Sequence, residues 1–167
     1  NIQRYPEGHE LKKHITGNPV RDEIIAIREE GYPPLPEDGI VRLLVVGGSL
    51  GATVLSEVVP AAIAMLPRAL LDRLQVVQQC REDDIEAVRA KYAELGVAAE
   101  CASYIKDFPE RLRWAHLVIA RAGASTVAEL ACAGRPAIFV PYPHAMDDHQ
   151  TYNVVDLVEA GGAIAFA

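Results

Sequence analysis

Arg121-Ala-Gly-Ala-Ser-Thr-Val-Ala-Glu129 carries the residues whose types and spacing best suit chemistry. It follows the apolar run Leu117–Ala120, which reads as a buried strand, and it opens a helix from Ser125 to Ala133. Small residues at such a turn let a ligand approach the backbone closely. Free N–H groups at the helix start form an anion site, and Ser125 and Thr126 are suited to capping it. Glu129 lies four residues after Ser125, about one turn along the same face. An anion at the helix end with a carboxylate one turn away suits a nucleotide sugar, diphosphate on the N–H groups and ribose diol on the carboxylate. The plainer alternative is a capping box, Ser125 or Thr126 with an acid downstream.

Further candidates sit elsewhere on the chain. Gly47-Gly-Ser-Leu-Gly-Ala52 joins an apolar run to a helical pattern and is either a second anion-facing turn or only a tight turn. It is not the dinucleotide fingerprint, since Ser49 stands where the middle glycine belongs and Gln78-Gln79-Cys80 stand where the ribose acid belongs. No Gly-Lys-Ser/Thr follows, so it is not a P-loop. Gly17-Asn-Pro-Val-Arg21 reads as a turn into a short helix with Pro19 just inside it. Arg21 offers a donor fork suited to a base edge or phosphate, or is a surface arginine. Pro141 to Asn153 follows a strand and is long for its place, which suits binding. Within it His144, Asp147, Asp148 and His149 fit no helical metal spacing, and Asp147-Asp148 also suit a helix start. Gln150 and Asn153, three apart, suit sugar hydroxyls. No G-x-S-x-G nucleophile elbow is present.

The elements that must position these residues alternate. Strands are expected at Val41–Val46, Leu74–Gln78, Val97–Cys101, Leu117–Ala120, Ala137–Val140 and near the final residues. Helices are expected at Ala52–Leu66, Glu82–Leu95, Phe108–Ala115, Ser125–Ala133 and Gln150–Glu159. Such alternation means an α/β domain with a parallel sheet covered on both faces, binding ligands beyond the carboxyl ends of its strands. The 167 residues suit one domain with a sizeable core, 50% of them hydrophobic and 23% charged. A net charge of -7 argues against nucleic acid as a partner. No apolar run approaches the ~20 residues that span a bilayer. Cys80, Cys101 and Cys132 fit no zinc or CxxC spacing and suit a reducing, cytosolic setting. Residues 1–16 read as an interdomain approach and 17–167 as the folded domain, with a cut-off strand at the end, as in a piece of something larger.

Six motifs in order resemble the C-terminal half of the bacterial MurG family of N-acetylglucosaminyltransferases: Gly17-Asn-Pro-Val-Arg21, Gly47-Gly-Ser-Leu-Gly-Ala52, Tyr104-Ile105, Arg121–Glu129, Gly134-Arg-Pro-Ala137 and His149-Gln-x-x-Asn153. The resemblance implies a GT-B architecture of two Rossmann-like halves, this one holding UDP-N-acetylglucosamine (UDP-GlcNAc). By it, the backbone at Ile105 and the guanidinium of Arg21 read uracil, and Glu129 binds the ribose hydroxyls. Ser49, Ser125 and Thr126 hold the diphosphate. The backbone at Ala124, with His149, Gln150 and Asn153, faces the sugar; the match is looser at His149, where the family carries His or Gln. The implied reaction is inverting transfer of GlcNAc to lipid I, giving lipid II of peptidoglycan synthesis. It takes place at the cytoplasmic face of the inner membrane, needs no metal or other cofactor, and no DxD motif is present. Acceptor and membrane contacts would belong to the other half, so no catalytic residue is expected here and the chain should bind donor with little turnover. Rival expectations are another UDP-sugar GT-B transferase or epimerase, and a non-enzymatic nucleotide-binding domain.

Overall fold

A computed structural model describes residues 17–48, 53–142 and 149–166, and of His149 only the backbone. Along them run α1 (Asp22–Glu30), β1 (Val41–Val46), α2 (Thr53–Ile63), α3 (Arg68–Leu71), β2 (Leu74–Gln79), α4 (Ile85–Leu95) and β3 (Ala98–Ala102). There follow α5 (Phe108–Trp114), β4 (Leu117–Ala120), α6 (Ala124–Ala133), β5 (Ala137–Phe139), α7 (His149–Glu159) and β6 (Ala163–Ala165). The expected approach segment 1–16 lies outside the described residues.

The strands form one parallel sheet in the order β3-β2-β1-β4-β5-β6. β1 lies near its middle, and its unbroken apolar run reflects burial on both faces. Leu44 and Val46 pack with Ile24 and Ile27 of α1, Leu112 of α5, Leu130 of α6 and Val154 of α7. Leu43 and Val45 face the other way, onto Leu55 and Val59 of α2, Leu71 of α3, and Val88 and Tyr92 of α4. Helices thus cover both faces, as the alternation of elements requires.

Gly96 (φ 69°) and Gly134 (φ 62°) end α4 and α6 in the left-handed conformation, which only glycine adopts cheaply. Several local expectations need correction. Gly123 is the cap of α6, with no side-chain cap bond, and Ser125 and Thr126 lie inside the first turn. The capping-box reading therefore fails. Pro19 lies outside α1, with extended Arg21 at the cap, and α1 runs for 9 residues. Glu82–Asp84 forms a 3-10 turn before α4. The four-residue α3 was not foreseen, being too short to show a period.

At the amino ends of the strands a polar cluster fixes the proline-rich loop between α1 and β1. Arg135, 4% exposed, donates to the carbonyls of Leu112 (2.6 Å), Ala133 (3.0 Å) and Gly31 (3.2 Å). Its guanidinium lies 5.8 Å from the ring centroid of Tyr32, whose hydroxyl donates to the His116 carbonyl at 2.8 Å. The Arg42 N–H donates to Nδ1 of His116 at 3.0 Å, so that nitrogen carries no proton. Burial holds the His116 pKa below its usual value; the Arg42 and Arg135 charges add to this, against a bond to the Pro34 backbone.

Candidate functional site

The chain leaves β1 toward β2 on one side and leaves β4 toward β5 on the other. A parallel sheet opens a crevice at the carboxyl ends where the winding reverses. There the structure has a pocket of about 200 Å³ lined by Arg21, Val46, Gln79, Tyr104, Ile105, Lys106, Phe108, Thr126 and Glu129.

Two of these residues are 108 positions apart and form an ion pair. Helices α1 and α6 share one core, through Ile24 and Ile27 on one and Val127 and Leu130 on the other. Their packing brings Arg21, at the start of α1, against Glu129. Nε (3.0 Å) and Nη2 (2.9 Å) of Arg21 both donate to Oε1 of Glu129. Among the described residues nothing bonds Oε2, so the carboxylate is held by one oxygen with the other available. The Arg21 guanidinium also lies 5.7 Å from the Phe108 ring centroid. Arg21 is 51% exposed and Glu129 15%, so the pair borders the pocket with the carboxylate on its drier side.

The start of α6 forms the next wall. Its first helical bond runs from the Val127 N–H to the Gly123 carbonyl at 3.0 Å. The N–H groups of Ala124, Ser125 and Thr126 precede it without helical acceptors, an arrangement that attracts anions. Glu129 is five residues past Ala124, about 7 Å along the axis. The backbone N–H of Ile105 has no acceptor among the described residues, leaving a donor at the pocket edge, while its C=O closes the turn at Lys106-Asp107. Gln79 Nε2 donates to the Ser103 carbonyl (3.2 Å) and so holds the segment leading to Ile105.

The sugar-facing candidates come from α7. The Tyr142 N–H donates to Gln150 Oε1 at 2.9 Å, and Asn153 Nδ2 donates to the Ala122 carbonyl at 3.0 Å. A groove of about 290 Å³ runs from Asn18 and Ala124 to Asn153 and Asp156. Asn18 Nδ2 donates to the Ala124 carbonyl across its mouth at 3.3 Å. Ser49, His144, Asp147 and Asp148 lie outside the described residues, and His149 opens α7 with its side chain undescribed.

Sequence reasoning missed the Arg21–Glu129 pairing, and Gln79, Lys106 and Phe108 as pocket residues. Gln79 is the last residue of β2, which was the available signal. Gln78, beside it, is fully buried: its Nε2 donates to the Leu55 carbonyl (3.1 Å) and its Oε1 accepts the Tyr92 hydroxyl. The ribose carboxylate of a dinucleotide fold is thus replaced at the end of β2 by amides, and the pocket's acid comes from α6. Among the described residues no group of three or more His, Cys, Asp or Glu could hold a metal ion. None of their helices is long and apolar enough to cross a membrane.

A crystal structure of Acinetobacter baumannii MurG superposes with a TM-score of 0.71 at 39% identity, over 81% of this chain and 40% of that one. The class is therefore that of the GT-B glycosyltransferases, of which this fold forms one half. Residues 42–167 match the family model described as Glycosyltransferase family 28 C-terminal domain, and the chain belongs to that family. A Sphingopyxis alaskensis protein named UDP-N-acetylglucosamine--N-acetylmuramyl-(pentapeptide) pyrophosphoryl-undecaprenol N-acetylglucosamine transferase is 93% identical over 99% of this chain and 42% of its own length. A Zymomonas mobilis protein of the same name is 56% identical over 97% of this chain and 42% of its own length. The chain thus spans about two fifths of the length of the curated relatives it matches.

Proposed function

We propose that this chain is the donor-binding half of an inverting N-acetylglucosaminyltransferase that holds UDP-GlcNAc. The observation that carries the reading is the half-free Glu129 carboxylate one and a half turns from the unpaired N–H groups of α6. Diphosphate on Ala124, Ser125 and Thr126 places ribose hydroxyls at Oε2 of Glu129. The base then falls between Arg21, Phe108 and the backbone of Ile105, and the hexose falls toward Gln150 and Asn153. Ser49 and His149 complete the donor set by the resemblance of their motifs.

In the reaction an acceptor hydroxyl, giving up its proton to a base outside this half, attacks the anomeric carbon from the face opposite the diphosphate. The glycosidic bond to UDP breaks with inversion, and negative charge grows on the leaving diphosphate. Oriented N–H groups at the α6 terminus stabilise that charge without reorganising. Such a step needs no metal, because the helix supplies the electrostatic stabilisation. The names of the relatives supply the acceptor, muramyl-pentapeptide on undecaprenyl pyrophosphate, and the product would be lipid II for cell-wall growth, cell shape and division. A lipid-linked acceptor together with a nucleotide-sugar donor fits a whole enzyme working peripherally at the cytoplasmic face of the inner membrane. With a net charge of -7, this half would not be drawn to anionic lipid.

Calorimetric titration with UDP-GlcNAc, UDP-glucose, UDP-galactose and NAD tests the proposal. Saturable binding that prefers UDP-GlcNAc is expected. Equal binding of all three UDP-sugars would point to a different transferase, and tighter binding of NAD would remove the uridine assignment altogether.

A further inference from the structure

Arg121 leaves the end of β4 and reaches across to the neighbouring strand's exit. Its own N–H donates to the Val46 carbonyl at 3.3 Å, tying it to β1. Its Nη1 donates to the carbonyls of Val140 (3.0 Å) and Pro141 (2.9 Å), and its guanidinium lies 5.5 Å from the ring centroid of Tyr142. One side chain thus grips three successive residues where the chain leaves β5. The third of them donates its backbone N–H to Gln150 Oε1. A backbone amide can only donate, so the Gln150 carboxamide turns its oxygen to Tyr142 and its NH2 group away. Asn153 is set in the opposite sense: its Nδ2 is engaged by the Ala122 carbonyl and its Oδ1 is left as acceptor. A donor and an acceptor three residues apart on α7 match sugar hydroxyls, which both accept and donate.

We propose that Arg121 is a positioning residue for sugar recognition, fixing residues 140–142 so that Gln150 presents its NH2 group to the hexose of the donor. The inference rests on the donor-site reading above. Lysine cannot fill this role in full: one nitrogen, Nη1, takes both carbonyls, as an ammonium could, but only the planar guanidinium also stacks on the Tyr142 ring and so fixes residues 140–142 together. Sites that hydrogen-bond a hydroxyl discriminate strongly, since a buried group left unpaired is costly.

The test uses the wild type, Arg121→Lys, Gln150→Glu and the double variant, each titrated with UDP and with UDP-GlcNAc. Amide exchange at Tyr142 is measured without ligand. Arg121→Lys should leave UDP affinity within about twofold and reduce the preference for UDP-GlcNAc over UDP about tenfold. Gln150→Glu keeps an acceptor for Tyr142 but no donor for the sugar. It should lose the same preference with Tyr142 exchange unchanged, whereas Arg121→Lys should speed that exchange about tenfold. The double variant should be no worse than the weaker single. Equal loss of UDP and UDP-GlcNAc in Arg121→Lys would assign the guanidinium to the nucleotide and overturn the proposal. Additive losses, or unchanged Tyr142 exchange in Arg121→Lys, would overturn it as well. Failure of the wild type to bind UDP-GlcNAc would instead remove the donor-site reading, and the exchange data would still decide whether the clamp exists. Gln150 lies near the start of α7, away from the core, so its variant remains informative if Arg121→Lys does not fold.

Discussion

Replacing Glu129 with alanine should weaken UDP binding by about 1–3 kcal/mol, roughly 5- to 150-fold. The figure follows from the geometry at the carboxylate. Oε1 is held by two nitrogens of Arg21, so Oε2 is the oxygen left for the proposed ribose contact. Hydrogen bonds to a charged group contribute about 1.5–3 kcal/mol each, reduced here because the truncated site admits water. Loss of the Arg21 pair contributes little to folding, because the guanidinium is 51% exposed and regains water. That loss should stay below about 1 kcal/mol, a melting shift of no more than about 2–4 °C for a domain of this size. The assay is a cycle of four titrations, UDP and 2′-deoxy-UDP against wild type and Glu129→Ala. Wild type should prefer UDP, and the variant should not distinguish the two ligands. An undiminished preference for UDP in the variant would show that some other group reads the diol. An unchanged UDP affinity would leave Glu129 as no more than the partner of Arg21.

Acid should destabilise the domain through His116. Its folded pKa is lowered, so above about pH 6.5 both states are neutral and the residue contributes no pH dependence. Below that value the unfolded chain takes up a proton that the folded one resists, and stability falls until the folded pKa is passed. Urea unfolding from pH 7.5 to 5.5 should show this slope, and His116→Asn, which keeps an acceptor for Arg42, should flatten it. Arg135→Ala leaves three carbonyls without their buried donor and should cost roughly 3 kcal/mol or more. Thermal melting would read this as a drop of about 6–12 °C. Tyr92→Phe leaves the oxygen of buried Gln78 unsatisfied and should cost about 1–3 kcal/mol, visible as a lower denaturation midpoint at unchanged slope.

Strand positions were legible because a parallel sheet buried on both faces needs continuous apolar runs. β1 and β4 match their expected bounds, and β2, β3 and β5 differ by a residue or so. Helix ends were legible where glycine marks them, as at Gly96 and Gly134. The start of α6 was misplaced, since Ser125 and Thr126 are good caps in isolation while Gly123 takes the extended cap conformation at the tight exit from β4. Within the site, Arg21, Ile105, Thr126 and Glu129 were named from motifs and converge on one pocket. Their pairing was not legible: periodicity shows that α1 and α6 each have an apolar face but not that these faces meet. Gln79 and Phe108 join the pocket through the same long-range packing, which leaves no mark in local spacing.

The contact between α1 and α6 also sets a timetable for synthesis. Arg21 precedes Glu129 by 108 residues. At ribosomal speeds of about 5–20 residues per second, Arg21 therefore waits roughly 5–20 s for its partner. Throughout that interval Ile24 and Ile27 have no α6 to pack against, so α1 completes its burial only once α6 has been made. A nucleotide that needs both residues can stabilise only chains that have passed that point. A nucleotide bound there would act only after translation of α6, and until then the nascent chain must keep the apolar face of α1 from sticking elsewhere.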